Sequence, residues 1–277
     1  MTAIWVSSAA RSSRAVFTDM WWRLLAVVCG LGVAAVAAQP GPVTNADERA
    51  VVIAALPCRP SLQTTSSGFV IENELVVTVA HAIYNSRDFA VRDASGRWHR
   101  PEIVHMDLDL DLAVLRIPWL TAAPMTARGA SSGDPVRMVQ GAASGTSEGV
   151  VLRKVRLTTE SIGDLTRKTE RIGYELTVAI KGGDSGAAVV DADDNLIGVV
   201  FARSTRREAS WVTSASEVMD ALHQQDIPHW ECENPSEVEL ILETPKPDEQ
   251  SEELAVTARH YRDTRYGDTG ESVTQPE

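Results

Sequence analysis

Apolar residues in the middle of the chain come in short β-rich runs, separated by turn residues. Gly68 to Ile71 and Leu75 to Val79 flank Glu72, Asn73 and Glu74, which is a hairpin pattern. Leu112 to Ile117, Pro135 to Val139, Gly149 to Leu152, Tyr174 to Val178, Ala187 to Val190 and Leu196 to Phe201 are further runs of this kind, with Gly, Ser and Asp clusters between them. Many short strands at fairly regular spacing predict a sandwich or barrels. One helix stands out, Ala215 to Gln225. Val218, Met219 and Leu222 fall there at helical spacing, and Ser214 or Ser216 serves as the cap. No internal repeat at a fixed period is visible.

Different patterns bound this region on both sides. Leu24 to Ala38 is an uncharged apolar run, preceded by Arg11, Arg14 and Arg23 and closed by small residues before Gln39 and Pro40. A positive start, an apolar stretch and a small-residue end are the layout of a secretory signal. Extending the run back to Met20, with Trp21 and Trp22 at the interface, gives a span over 20–38 that fits a single membrane anchor equally well. Both readings place the chain after residue 40 outside the cytoplasm, because the Arg residues stay inside. From Glu233 to Glu277 the sequence is acidic, contains Pro235, Pro245 and Pro247, and has one short apolar patch at Val238 to Leu242. Such a stretch buries too little surface to offset its ordering entropy. It reads as a mostly disordered tail, with docking to a partner as the alternative.

Charge sharpens this three-part division. The 277 residues hold 26 Lys+Arg and 38 Asp+Glu, a net charge of −12. Residues 1–40 carry three Arg against one Asp, and residues 233–277 carry four Lys+Arg against twelve Asp+Glu, so the middle is only mildly acidic. Nucleic acid is excluded as a general partner, since phosphate binding needs clustered Lys and Arg. Three cysteines exclude a dense disulfide scaffold and a four-cysteine zinc site. Cys29 lies in the signal or anchor, which leaves Cys58 and Cys232 at the two ends of the middle region. Outside the cytoplasm two such thiols tend to pair; two free buried thiols are the alternative.

Three local patterns carry chemistry. Thr78-Val79-Ala80-His81 ends an apolar strand, Asp111 opens another, and Gly182-Gly183-Asp184-Ser185-Gly186 is a Gly-rich turn before a third. Serine is a weak nucleophile unless a base lies beside it. A His can take its proton near neutral pH, and a carboxylate must then fix the imidazole tautomer and stabilise the imidazolium. Two backbone N–H groups must face the oxyanion, and Gly183 and Ser185 are spaced to supply them. The chain order His81, Asp111, Ser185 is that of the chymotrypsin type; an α/β-hydrolase runs Ser, acid, His and continues to a Gly where this chain has Ala187.

On these motifs residues 48–232 resemble trypsin-like serine proteases, and more closely the bacterial HtrA-like and membrane-anchored actinobacterial types. Ser67 to Ile71, Thr78 to His81, Asp111 to Leu115, Gly183 to Gly186, Gly198 to Phe201 and Trp211 to Val218 carry the resemblance, with separations of 30 and 74 residues between His81, Asp111 and Ser185. It implies an all-β fold of two six-stranded antiparallel β-barrels with a C-terminal helix. His81 and Asp111 would come from the first barrel and Ser185 from the second. It also implies peptide-bond hydrolysis on polypeptide substrates, with no cofactor and no metal. Alignment to the family puts Ala179 at the base of the pocket for the residue before the cut, with Val200 to Arg203 as a wall. An acid at the base would select Lys or Arg; Ala179 points instead to small or medium apolar side chains. The chain departs from the family at Ala187 and Ala188, which replace Gly-Pro, and it lacks the activating N-terminal segment of digestive trypsins. Asp184 therefore needs another partner.

Each singled-out residue has a plainer reading. A lone His after a strand is ordinarily structural, and only the company of the other two motifs distinguishes His81. Asp107, Asp109 and Asp111 alternate with leucines, so as one strand they would share a face; the Asp-Leu-Ala-Val-Leu match selects Asp111. This acidic run lacks the Gly and downstream Glu of a calcium loop. His99, His105, His223, His229 and His260 read as surface or structural. A catalytically silent binding module on the same fold is the competing function.

Overall fold

The computed structural model of the chain describes residues 45–58, 63–141, 145–204, 208–232 and 273–274. The expected signal or anchor over 1–40 lies outside the described residues, and so does the tail from Glu233 apart from Val273 and Thr274. Among the described residues no helix is long and apolar enough to cross a membrane.

The chain opens with a single helical turn, α1 (Ala46–Arg49), capped by Asn45, whose Oδ1 accepts the Glu48 N–H at 2.8 Å. Seven strands follow: β1 (Ala50–Pro57), β2 (Thr64–Glu72), β3 (Leu75–Thr78), β4 (Ser86–Arg92), β5 (Trp98–His99), β6 (Glu102–Asp107) and β7 (Leu112–Arg116). They form one antiparallel sheet in the order β5-β4-β1-β2-β3-β7-β6. The second unit contains β8 (Pro135–Gln140), β9 (Gly145–Glu160), β10 (Lys168–Leu176), β11 (Ala188–Val190), β12 (Leu196–Arg203) and β13 (Ser210–Ser214), in the order β10-β13-β12-β11-β8-β9. The sixteen-residue β9 pairs with β8 along its first half and with β10 along its second, which closes these six strands into a barrel. A two-residue strand, β14 (Val273–Thr274), lies against β9 at Leu157 and Arg156. The chymotrypsin-like architecture expected from the motifs is present, with a seventh short strand, β5, added to the first sheet.

Three apolar clusters hold these layers. Ile53, Val76 and Leu115 fill the first sheet, and Met138, Leu176 and Val212 fill the second barrel. A third cluster joins them: Phe69, Val77 and Leu112 from the first unit meet Leu157, Val199 and Phe201 from the second. The two units therefore share a continuous core.

The helix α2 (Ala215–Ala221) packs on that joining cluster through Ala215, Val218 and Ala221. It begins at Ala215 as expected but ends at Ala221 rather than Gln225, and the Ser214 and Ser216 hydroxyls meet each other at 2.9 Å, with no cap bond from the Ser214 side chain to the helix. After Leu222 no apolar residue follows until Ile227, and the backbone turns instead to the first sheet. Asp226 accepts the Met106 N–H at 2.8 Å and gives its own N–H to His105 Nδ1 at 3.2 Å. Trp230 then donates to the Ser86 carbonyl at 3.0 Å and stacks edgewise on Tyr84. The expected Cys58–Cys232 disulfide closes this strap onto the end of β1.

Candidate active site

His81 sits in a 3-10 turn, Ala80–Ala82, directly after β3. Its ring faces Asp111, at the end of the turn between β6 and β7. The Asp111 carboxylate uses both oxygens on the same residue: Oδ1 accepts the His81 backbone N–H at 2.8 Å and Oδ2 lies 2.7 Å from Nδ1. The side chains are 13% and 3% exposed. A carboxylate at that distance makes Nδ1 the protonated nitrogen and leaves Nε2 as the basic one. Asp111 reaches this position from the left-handed region, at φ +54°. That region is costly for most L residues, by about 1–2 kcal/mol, and Asp is among the few that visit it.

The three alternating carboxylates do not share a strand face. Asp107 closes β6, Asp109 lies in the turn and Asp111 precedes β7, so each has its own surroundings. Asp107 Oδ1 accepts the N–H groups of Asp109 and Leu110, both at 2.8 Å, and shapes the turn. Asp109 pairs with Arg167 and accepts from Ser161 Oγ at 2.7 Å. Of the three, Asp111 is the one brought to His81. Strand alternation fails here because the leucines and aspartates span a hairpin turn.

Ser185 follows a turn over Lys181–Asp184, closed by the Asp184 N–H to the Lys181 carbonyl at 3.3 Å. Its third residue, Gly183, has φ +97°, the conformation a type II turn demands at that place. A type I turn over the same residues would turn the central peptide over and reverse the Gly183 N–H. Among the described residues no carbonyl accepts the N–H of Gly183 or of Ser185. The loop is moored to the first sheet by one residue. Ser67 N–H donates to the Ser185 carbonyl at 2.8 Å, and Ser67 Oγ donates to the Gly183 carbonyl at 2.8 Å. Thr78 Oγ1, three residues before His81, donates to the Ser67 carbonyl at 2.7 Å. Gly186, at φ +87°, passes so close that a Cβ would lie 2.0 Å from the Ser67 oxygen and 2.6 Å from Thr78 Oγ1. The contacts Ser185–Ser67–Thr78 thus bring the serine loop to the strand that carries His81.

Asp184 is fully buried, and its hydrogen-bond donors are an amide and a backbone N–H. Oδ1 accepts from Gln140 Nε2 at 2.9 Å and Oδ2 accepts the Lys181 N–H at 2.6 Å. Burial pushes its carboxyl above the ordinary range, opposed by these two donors and by the charge of Lys181. Gln140 is held by Ser147 Oγ at 3.2 Å, and the neighbouring Gly141 N–H reaches Ser67 Oγ at 3.1 Å. Nothing local in the sequence marks Gln140, because a Gln closing a strand looks like any solvated end.

Ala179 is exposed on the segment after β10, and Arg203 is exposed at the end of β12. Val200 does not form a wall with its side chain: strand alternation turns it into the second barrel, where it is fully buried. Among the other histidines, His105 is buried and accepts from Asp226, His99 pairs with Asp93 at 2.7 Å, and His223 and His229 are exposed. His260 lies outside the described residues.

Residues 66–199 match the model of the trypsin-like peptidase domain family. The chain is 30% identical over 188 residues to the serine protease Rv3671c of Mycobacterium tuberculosis, covering 65% of this chain and 47% of that protein. It is 31% identical over 142 residues to the mouse (Mus musculus) serine protease HTRA4, covering 49% of this chain and 29% of that protein. The chain thus spans about half, or less, of the length of these curated relatives. The active form of the M. tuberculosis Rv3671c protease superposes with a TM-score of 0.60 at 26% identity, over 66% of this chain and 83% of that one. The HtrA-type protease AlgW, solved with a tripeptide, shares the fold at a TM-score of 0.54 and 21% identity.

Proposed function

We propose that this chain, which through residues 66–199 belongs to the trypsin-like peptidase domain family, is an extracytoplasmic serine endopeptidase. The observation that carries the reading is the two-oxygen grip of Asp111 on His81, which makes Nε2 the basic nitrogen, together with a serine loop anchored beside the same strand.

In this reading Ser185 Oγ attacks the carbonyl carbon of a peptide bond while His81 Nε2 takes the hydroxyl proton. Asp111 stabilises the imidazolium. The N–H groups of Gly183 and Ser185 receive the oxyanion, an assignment supported by their lack of carbonyl partners among the described residues and by the positive φ of Gly183. The C–N bond then breaks, the proton on Nε2 passes to the departing amine, and an ester to Ser185 remains. Water attacks this ester with the same histidine as base, the acid product leaves, and Ser185 regains its proton.

The peptidase domain would span 48–232. It would follow an export signal or anchor over 1–40 and precede an acidic tail over 233–277 that is available for a partner. The disulfide supports an oxidising compartment. Ala179 at the pocket base, where an acid would select Lys or Arg, favours small or medium apolar side chains before the cut. Fluorophosphonate labelling of the purified protein, with Ser185→Ala as control, tests the reading. Labelling of wild type alone is the expected result. No labelling across a range of pH would overturn it in favour of a silent binding module.

A further inference from the structure

The second barrel reaches across to the turn that carries Asp111, and it does so with a buried arginine. Arg171, on β10, is 2% exposed. Its Nη1 donates to the Leu110 carbonyl at 2.5 Å and its Nη2 to the Asp109 carbonyl at 2.7 Å. These are the two residues directly before Asp111. The same guanidinium is fixed on three other strands of its own barrel. Nη2 donates to Thr159 Oγ1 on β9 at 3.0 Å, Nη1 to Thr213 Oγ1 on β13 at 3.4 Å, and the Phe201 ring on β12 lies under it at 4.4 Å from the centroid.

The turn is therefore held from both sides. Asp107 takes the N–H groups of Asp109 and Leu110, and Arg171 takes their carbonyls. Thr169 Oγ1 adds a second donor to the Asp109 carbonyl at 3.0 Å. With both peptides fixed, the next residue enters the left-handed conformation in which its carboxylate meets His81 at two atoms. A planar fork suits two adjacent carbonyls, and a guanidinium keeps its charge in a buried site. A charge buried only for fold stability would not need to address the backbone of the acid turn.

We propose that Arg171 is a positioning residue for the Asp111–His81 pair, transmitting the placement of the second barrel to the acid of the first. This rests on the peptidase reading above for its kinetic consequence but not for its structural one. A misplaced group in a catalytic pair lowers turnover steeply even where substrate binding is untouched.

The test compares Arg171→Met and Arg171→Lys with Arg49→Met in the full chain. Arg49 is also buried, 4% exposed, and donates to the Val70 carbonyl at 3.1 Å, away from the acid turn. The readout independent of activity is the deshielded proton resonance of His81 Nδ1–H, identified by its loss in His81→Ala. The expected result is that Arg171→Met shifts or broadens this resonance and lowers kcat about tenfold to a hundredfold with little change in KM. Arg171→Lys, which keeps the charge but reaches one carbonyl, should recover part of both, and Arg49→Met should leave both in place. An unchanged resonance in folded Arg171→Met, or an equal change in Arg49→Met, would overturn the proposal. If Arg171→Met does not fold, Arg171→Lys against Arg49→Met decides on the same criteria. An inactive wild type would sink the peptidase reading while the resonance still judged the role of Arg171.

Discussion

The Asp111 carboxylate holds His81 by two separate bonds, one to the backbone N–H at 2.8 Å and one to Nδ1 at 2.7 Å. Both partners are donors, so the acid must accept twice. Asp111→Asn turns one oxygen into an amide donor. Either the backbone bond is lost or the imidazole is driven to the wrong tautomer, with its proton on Nε2. Turnover of a peptide substrate is expected to fall about 10⁴-fold, the scale seen when a triad acid is replaced by its amide. KM should change little, and the protein should stay folded. Initial rates with a chromogenic peptide check this, and a loss under tenfold would remove Asp111 from the mechanism.

The disulfide joins residues 174 apart in sequence. In the chain-entropy view such a crosslink stabilises by about 5 kcal/mol through the unfolded state, an amount comparable to the whole stability of many domains. Cys232→Ser, or reduction of the wild type, is expected to lower the unfolding free energy by several kcal/mol. Equilibrium urea denaturation with and without reductant measures it; coincident midpoints would show that the strap after α2 is held by Trp230 and Asp226 alone.

The sequence already showed the strands that alternate with strong turn signals, and it located His81, Asp111 and Ser185 as candidates. What it hid follows physical lines. β1 is hidden because Ala50 to Pro57 is an Ala-rich continuous apolar run, with no alternation to mark a central strand flanked by β2 and β4. β4 and β6 carry mixed burial patterns that resemble loops. Asp107 to Asp111 looked like a strand because its leucines happen to alternate through a turn. Arg171 and Gln140 carry no local signal, since each acts on residues distant in sequence: Arg171 on the acid turn of the first unit, Gln140 on Asp184 within its own barrel.

The pocket assignment can be tested by reversing it. Ala179 is exposed on the segment leading to the Ser185 turn. In the proposed assignment Ala179→Asp would put a carboxylate at the base of the pocket. Cleavage after Lys or Arg is expected to rise about tenfold or more relative to Ala or Val, in the range set by a new charge contact. Peptide-library profiling of both proteins reads the change. A wild-type profile already dominated by Lys or Arg would sink the assignment, as would an unaltered profile in the variant.

Asp184 makes a signed prediction about pH. Burial raises its carboxyl above the ordinary range, and the Lys181 N–H, the Gln140 amide and the Lys181 charge only partly oppose this. A carboxyl whose folded value lies above its unfolded one binds its proton more tightly in the folded protein. Its contribution to stability is then fully present below the unfolded value, near pH 4, and is lost as pH rises through the folded value. Acidification through this window should therefore strengthen the fold at this residue, opposite to the usual salt-bridged aspartate. Asp184→Asn cannot titrate, so the stability of wild type minus that of the variant should fall as pH rises from about 4 toward neutrality. Urea unfolding of both proteins at a series of pH values gives the difference directly. A difference that rises over this range would mean that Gln140 and Lys181 stabilise the anion more than burial penalises it.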